Sequence, residues 1–397
     1  MKTITIVGAS VAGIRSAEAL RAAGYDGRLV LVGDDARRPY DRPPLSKAFL
    51  DGSLDEDAIA LLDADEEADL ELDMRLGVTA ARLDPAGARV VLADGSGVAT
   101  DGVVVATGGR ARRLPGSEGV EGVHVLRTLD DALALRRALR DGSPRVAVVG
   151  GGFIGAEVAS TCRAMGLDVT VLDGLPLPLA PVLGPRIARS CVALHAEHGT
   201  DLRPSVAVSG LATVPTAGGP RRVVGVELGD GTAVPADVVV VGIGITPNTE
   251  WLEGSGLALD DGVRTDAGMV TDLPTVVAVG DVARWTGAVG ARRHEHWTSA
   301  GEQATVAAGN LLAGVSGDTF RPSGYVWSEQ YGRMLQLAGH PSAQDRVDVL
   351  DGEPDGGRFV ARYVDPDGVT TGVFAMADPR LFGRVRRSEL RRPAQAA

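Results

Sequence analysis

Short runs of valine, isoleucine and leucine, each closed by glycine, set the rhythm of this chain. Residues 4–34, ITIVGASVAGIRSAEALRAAGYDGRLVLVGD, read as a β-strand, a glycine turn, a helix and a second strand. Residues 146–173, VAVVGGGFIGAEVASTCRAMGLDVTVLD, repeat that order. In both, an Arg-x-x-Gly ends the helix, Gly13 stands as far from Gly24 as Gly155 from Gly166, and the last strand runs into an acid, Asp34 or Asp173. The chain thus holds two βαβ units about 140 residues apart. Further apolar strands bounded by glycine, Val103–Val105, Val238–Val241 and Val276–Val279, have the unbroken hydrophobicity of buried parallel strands. Between the units lie an acidic stretch, Asp51–Glu71, read as helical, and short strands around Arg89–Leu92. The last 80 residues change to short alternating segments such as Arg333–Ala338 and Arg358–Val364, the pattern of an antiparallel α+β domain.

Composition narrows the class. A length of 397 residues accommodates two or three domains, and 44% hydrophobic with 23% charged residues is ordinary for a globular protein. The longest uncharged apolar run, Val238–Ile245, is far short of the ~18 residues of a membrane span. With a β-branched strand starting at the first residues, the expected location is cytoplasmic. A net charge of -12 argues against nucleic acid or an anionic membrane as partner. Cys162 and Cys191 have neither a disulfide framework nor a CxxC spacing, and both fall in helical stretches as small core residues. Of 40 basic residues only Lys2 and Lys47 are lysine, so Lys47 marks either a place that needs an ammonium or an accident of composition.

A dinucleotide fingerprint needs glycines for a tight turn, for approach of backbone to pyrophosphate and for helix–strand packing, with an acid about 20 residues on for the ribose. Gly150, Gly152 and Gly155 with Asp173 meet it in full; in Gly8, Ser10 and Gly13 with Asp34, serine replaces the middle glycine.

Taken with the Ala106-Thr107-Gly108 crossover and the segment Val277-Ala278-Val279-Gly280-Asp281, these units resemble the FAD- and NAD(P)H-dependent flavoprotein reductases of glutathione reductase fold. Within that group, Arg38-Pro39-Tyr40-Asp41-Arg42-Pro43-Pro44-Leu45-Ser46-Lys47 and Val326-Trp327-Ser328-Glu329-Gln330-Tyr331 resemble the ferredoxin reductases of oxygenase systems, the putidaredoxin reductase and biphenyl dioxygenase reductase type, over essentially the whole chain. The resemblance implies an α/β fold of two Rossmann-like domains and a C-terminal α+β domain. FAD would occupy residues 1–110 with 238–317, NAD(H) residues 111–237, and residues 318–397 would form the third domain. It implies that Gly8, Ser10 and Gly13 seat the FAD pyrophosphate at a helix N-terminus, and that Asp34 holds the adenosine ribose. Arg42, Lys47, Ala106, Thr107, Gly108, Gly280, Asp281 and Trp297 would complete the FAD site. Gly150, Gly152, Gly155, Asp173, Gly242 and Gly244 would hold NAD(H).

In this resemblance Lys47 and Glu157 pair beside flavin N5, where an ammonium stabilises developing negative charge; the plainer reading of Glu157 is an acid in the first turn of its helix. Asp281 accepts from the ribitol or caps the next helix. Trp297 precedes Ser299-Ala300-Gly301-Glu302, a capping-box start for a helix through Leu312, and lines the flavin or packs at the helix entry. Trp327 has the same two readings. His294 and His296 flank Glu295, but no third ligand is in view and no metal is expected. Disulfide and peroxide reductases of this fold place cysteine against the flavin, the latter where this chain has Pro43-Pro44-Leu45-Ser46. Here electrons would leave for an external carrier, a [2Fe-2S] ferredoxin serving a cytochrome P450 or Rieske oxygenase. A rubredoxin reductase, an NADH oxidase with another acceptor and a flavin-bearing redox sensor like apoptosis-inducing factor are the alternatives. Arg292 and Arg293 are the first docking candidates and the cluster Arg384, Arg386, Arg387, Arg391 and Arg392, otherwise a solvated tail, is the second. The chain would be a monomer or dimer.

Overall fold

A computed structural model describes residues 1–287 and 290–390. The chain divides into two compact units, one of residues Met1–Asp41, Glu56–Arg110 and Ile245–Ser323, the other of Arg42–Asp55, Ala111–Gly244 and the residues from Gly324.

The first unit is built on five parallel strands in the order Val276–Ala278, Gly102–Val105, Thr3–Val7, Arg28–Gly33 and Leu72–Leu76. Ile4, Ile6, Leu29, Leu31 and Val104 are essentially fully buried, as unbroken β-branched runs require when both faces of a sheet are covered. Helix Val11–Ala22 packs against helix Trp297–Ala313 and buries Ile14, Ala17 and Leu20. Its last turn closes through Ala23 into Gly24, whose φ of 85° is the left-handed stop that glycine supplies.

The second unit holds a sheet with the same plan: Val123–Val125, Val238–Val241, Val146–Val149, Val169–Leu172 and Asp201–Arg203, all parallel. The internal repeat therefore extends beyond the two βαβ units to four strands of each sheet, while the fifth, at the edge, follows the others along the chain in the first sheet (Val276–Ala278) and precedes them in the second (Val123–Val125); each unit also holds a three-stranded antiparallel sheet. The rest of the second unit is a five-stranded antiparallel sheet in the order Val326–Gln330, Arg333–Gly339, Thr370–Met376, Arg358–Val364 and Arg346–Glu353, with helix Pro379–Glu389 against it.

Four expectations change. Strand Val238–Val241 pairs with Val146–Val149, so the boundary expected at 238 falls between Gly244 and Ile245. Residues 42–55 belong with the second unit, not with the residues before them. Beyond Asp51, which ends the short helix Ala48–Asp51, the acidic stretch is α-helical only at Ala64–Leu70, which Asp63 and Glu66 start with a capping box; a 3-10 turn, Asp57–Ile59, lies before it. Helix Trp297–Ala313 starts two residues before Ser299, with His296 as its cap; Ser299 is buried inside the first turn and does not cap it.

Candidate nucleotide and redox sites

The two glycine turns are superimposable in their sterics. Gly8 has φ 120°, and a Cβ there would lie 2.1 Å from the Ala106 carbonyl oxygen; Gly150 has φ 105°, and its Cβ would lie 2.3 Å from that of Gly242. A Cβ on Gly13 would lie 1.9 Å from the Gly8 oxygen, and one on Gly155 the same 1.9 Å from the Gly150 oxygen. These four positions admit only hydrogen. At Gly152 a Cβ meets nothing within 4 Å, so open space stands before the helix Phe153–Ala164. Ser10 holds the corresponding place at the head of Val11–Ala22, in extended backbone conformation, and its hydroxyl caps no helical N–H.

Neither helix has an acid in its first turn or a side-chain cap, whereas Ala64–Leu70, Leu129–Arg140 and Pro379–Glu389 are capped by Asp63, Thr128 and Asp378. Two open, positive helix ends behind hydrogen-only turns fit two dinucleotide pyrophosphates.

Around the first turn, Ala106 is buried and Gly108 has φ 59°. Thr107 and Asn248 are cross-linked: Thr107 Oγ1 donates to the Asn248 carbonyl (2.8 Å) and Asn248 Nδ2 donates to the Thr107 carbonyl (3.0 Å). Asp34 is exposed at the end of its strand. Gly280 has φ 73° and gives its N–H to Gln303 Oε1 at 2.6 Å; Gln303 is fully buried, and its Nε2 meets no acceptor among the described residues. Such an orphaned donor next to the Gly280–Asp281 turn is what a bound polar group would satisfy. Asp281 sits in a 3-10 turn, Gly280–Val282, and does not head an α-helix. Burial lowers the pKa of nearby His296, against an upward pull from Asp281. Trp297 donates from Nε1 to Asp41 Oδ1 (2.7 Å), with the Arg15 guanidinium over its ring at 5.6 Å.

Around the second turn, Asp173 Oδ2 accepts from the Gly151 N–H (2.6 Å) and Oδ1 from the Leu175 N–H (2.7 Å), so the carboxylate is locked at the rim of the turn. Gly242 faces Gly155 and Gly244 has φ 96°.

Within the same unit, Arg42 leads into the turn Pro43–Ser46, and Lys47 and Glu157 meet. Lys47 Nζ lies 2.6 Å from Glu157 Oε2, with 19% and 3% of the two side chains exposed. Lys47 also donates to the Pro43 carbonyl (3.0 Å). Glu157 is the fifth residue of its helix and buried, so the reading as a first-turn acid gives way. A buried carboxylate persists because it is fully met: Ser46 Oγ donates to Oε2 (2.6 Å) and Ser328 Oγ to Oε1 (2.7 Å). Ser46, Ser328, Asn248, Gln303 and Asp41 escaped the sequence reading. Asp41 and Ser46 lay in the Arg38–Lys47 motif and Ser328 in the Val326–Tyr331 motif, where its period-two spacing with Gln330 was a further signal.

Both cysteines are buried, and burial pushes each thiol up to about 12, where thiolate chemistry is closed. His294 is buried between the rings of Trp285 and Phe320. Trp327 is partly buried and stacks on Tyr325. Arg293 is taken up by Asp261 and Glu295, whereas Arg292 is exposed. Arg384 and Arg387 are exposed on the ordered helix Pro379–Glu389, and Arg386 lies over the Tyr325 ring; Arg391 and Arg392 fall outside the described residues. Among the described residues no helix is long and apolar enough to cross a membrane.

Paired nucleotide turns on a repeated sheet define a two-dinucleotide oxidoreductase architecture. The chain belongs to the pyridine nucleotide-disulphide oxidoreductase family, whose model matches residues 2–304; a reductase C-terminal model matches residues 325–394. It is 37% identical to rhodocoxin reductase of Rhodococcus erythropolis, over 90% of this chain and 82% of that protein. It is 36% identical to the biphenyl dioxygenase system ferredoxin–NAD(+) reductase component of Paraburkholderia xenovorans (strain LB400), over 96% of this chain and 91% of that one. Among solved structures it is similar to the covalent putidaredoxin reductase–putidaredoxin complex, with a TM-score of 0.89 and 34% identity over 98% of this chain and 92% of that one.

Proposed function

We propose that this protein is an NADH-dependent ferredoxin reductase, with FAD in the first unit and NAD(H) in the second, supplying a [2Fe-2S] ferredoxin of a cytochrome P450 or Rieske oxygenase system in the cytoplasm. The observation that carries the reading is the pairing of two open glycine turns with cysteines too buried to act as relays. When bound, FAD takes two electrons from reduced nicotinamide and releases them singly to a one-electron carrier. The chain's own residues seat the two nucleotides and set the charge around them. Gly8, Ser10, Gly13 and the helix behind them receive the FAD pyrophosphate, Asp34 the ribose and Asp281 the ribitol hydroxyls. Gly150, Gly152 and Gly155 receive that of NAD(H), with Asp173 on its ribose. Lys47 supplies the ammonium that this reading assigns to stabilising charge in flavin reduction, and Glu157 keeps that ammonium in place. Trp297, fixed by Asp41, flanks the exit edge.

The family relatives named for ferredoxin reduction support the acceptor. Docking draws on Arg292 and on the arginines of Pro379–Glu389. The testing experiment is anaerobic reduction of the flavin-loaded protein with NADH, followed by mixing with [2Fe-2S] ferredoxins and with a rubredoxin. Rapid oxidation by the former and slow oxidation by the latter is expected; the reverse order reassigns the acceptor.

A further inference from the structure

Along Val326–Gln330 the alternation of a strand turns Ser328 and Gln330 inward and leaves Glu329 exposed. Ser328 Oγ donates to Glu157 Oε1 (2.7 Å), and Gln330 Nε2 donates in turn to Ser328 Oγ (3.1 Å). The other carboxylate oxygen, Oε2, takes Lys47 Nζ and Ser46 Oγ, both at 2.6 Å. One oxygen is therefore held by the C-terminal sheet and the other by the Pro43–Ser46 turn. Ser328 is 1% exposed and Gln330 fully buried, so no solvent stands ready to replace either hydrogen bond.

We propose that Ser328, oriented by Gln330, is a positioning residue for the Lys47 ammonium: its hydroxyl fixes the rotation of the Glu157 carboxylate, and the carboxylate fixes the ammonium. Any consequence for catalysis rests on the reading of Lys47 given above; the positioning itself does not. The C-terminal sheet thereby has a direct hand in the Lys47–Glu157 pair, through a residue that belongs to neither glycine turn.

Composition makes the test direct, because Lys2 and Lys47 are the only lysines and Lys2 is exposed. Lysine-selective isotope labelling of the flavin-loaded protein gives two side-chain signals by NMR. In Ser328→Ala, and in Ser328→Cys, which keeps the volume with a weaker donor, the Lys47 signal should move toward that of Lys2; in the exposed neighbour variant Glu329→Ala it should stay. By stopped flow, Ser328→Ala should slow flavin reduction at saturating NADH about tenfold with the NADH Kd little changed, and Ser328→Ala combined with Lys47→Ala should be no slower than Lys47→Ala alone. An unmoved Lys47 signal in both Ser328 variants, or losses that multiply in the double variant, overturns the proposal. A shifted signal with reduction rates unchanged in every variant upholds the positioning and overturns the catalytic reading of Lys47.

Discussion

Replacing Gly13 or Gly155 with alanine should separate the two nucleotide sites from one another. In each case the new Cβ would lie 1.9 Å from a carbonyl oxygen of the preceding turn, against the 3.0 Å or more that real Cβ atoms keep. Helix and turn must move apart by about 1 Å, and the obstacle is backbone, which no rotamer change relieves. Overpacking of this kind costs about 1–3 kcal/mol of stability. The larger effect falls on the ligand. A 1 Å displacement lengthens N–H···phosphate bonds from about 2.9 to 3.9 Å, which ends them. Losing two charge-assisted bonds at about 1.5–3 kcal/mol each raises Kd at least about a hundredfold. Gly13→Ala should be purified with little FAD, while Gly155→Ala should keep its FAD, read from absorbance, and lose affinity for NADH, read by titration under anaerobic conditions. Gly152→Ala refines the test: its Cβ meets no protein atom, so melting temperature should hold while NADH binding weakens. Full FAD content in Gly13→Ala, or FAD loss from Gly155→Ala with NADH affinity intact, would refute the assignment of the two turns.

The remaining predictions follow from single side chains. Lys47→Ala should retain FAD yet slow its reduction by NADH about 10- to 100-fold in stopped flow, since the lost group acts on developing charge; an unchanged rate makes the pair purely structural. NADH should be preferred over NADPH by about tenfold or more in kcat/KM, because Asp173 is locked on Gly151 and Leu175, residues 174–185 hold no Lys or Arg, and Arg203 is occupied by Asp201; equal values count against it. Ferredoxin turnover should fall as salt rises while NADH-to-flavin transfer barely changes, and Arg292→Ala should flatten that dependence more than Arg293→Ala, whose guanidinium is already paired. The His195 imidazole, pushed down to about 4 by burial, stays neutral in the fold, whereas an unfolded histidine takes up its proton near 6.5. Its share of stability is whole above pH 6.5 and drains away as pH falls to about 4, so between pH 7.5 and 5 the chain should lose about 2 kcal/mol more than His195→Gln, measured by parallel unfolding curves.

Strands such as Thr3–Val7 and Val146–Val149 were legible because valine and isoleucine runs stop at glycines that no other residue can replace. The same logic made Gly8, Gly13, Gly150 and Gly155 readable as site residues. What the chain's linear order hides is pairing. Val238–Val241 looks alike whichever sheet receives it, and only its register with Val146–Val149 decides the boundary. The acids of residues 51–71 include more aspartates, which favour caps and turns, than helix-forming glutamates, and Gly52 takes φ 87° and ends the short helix Ala48–Asp51. Ser299 carried the local signature of a cap, which packing overrode by burying it. Lys47 and Glu157 were brought together by resemblance and by the rarity of lysine, while the serines that satisfy Glu157 became visible only once strand Val326–Gln330 was in place.

The one departure from symmetry between the turns carries a further consequence for how the cofactors behave. Ser10 adds a hydroxyl, bonded to no helix N–H, where the second turn has only the open space of Gly152. On the proposed assignment the first turn offers the pyrophosphate an extra donor beyond the backbone, and the Gly280 turn next to the orphaned Gln303 amide lies in the same unit. The second turn offers backbone N–H groups and the already committed carboxylate of Asp173. More satisfied donors on one dinucleotide than on the other is the arrangement expected of a resident cofactor facing an exchangeable one, since the latter must leave after each reduction. Ser10→Gly, which makes the turns alike in sequence, should therefore raise the dissociation rate of FAD while leaving NADH affinity untouched.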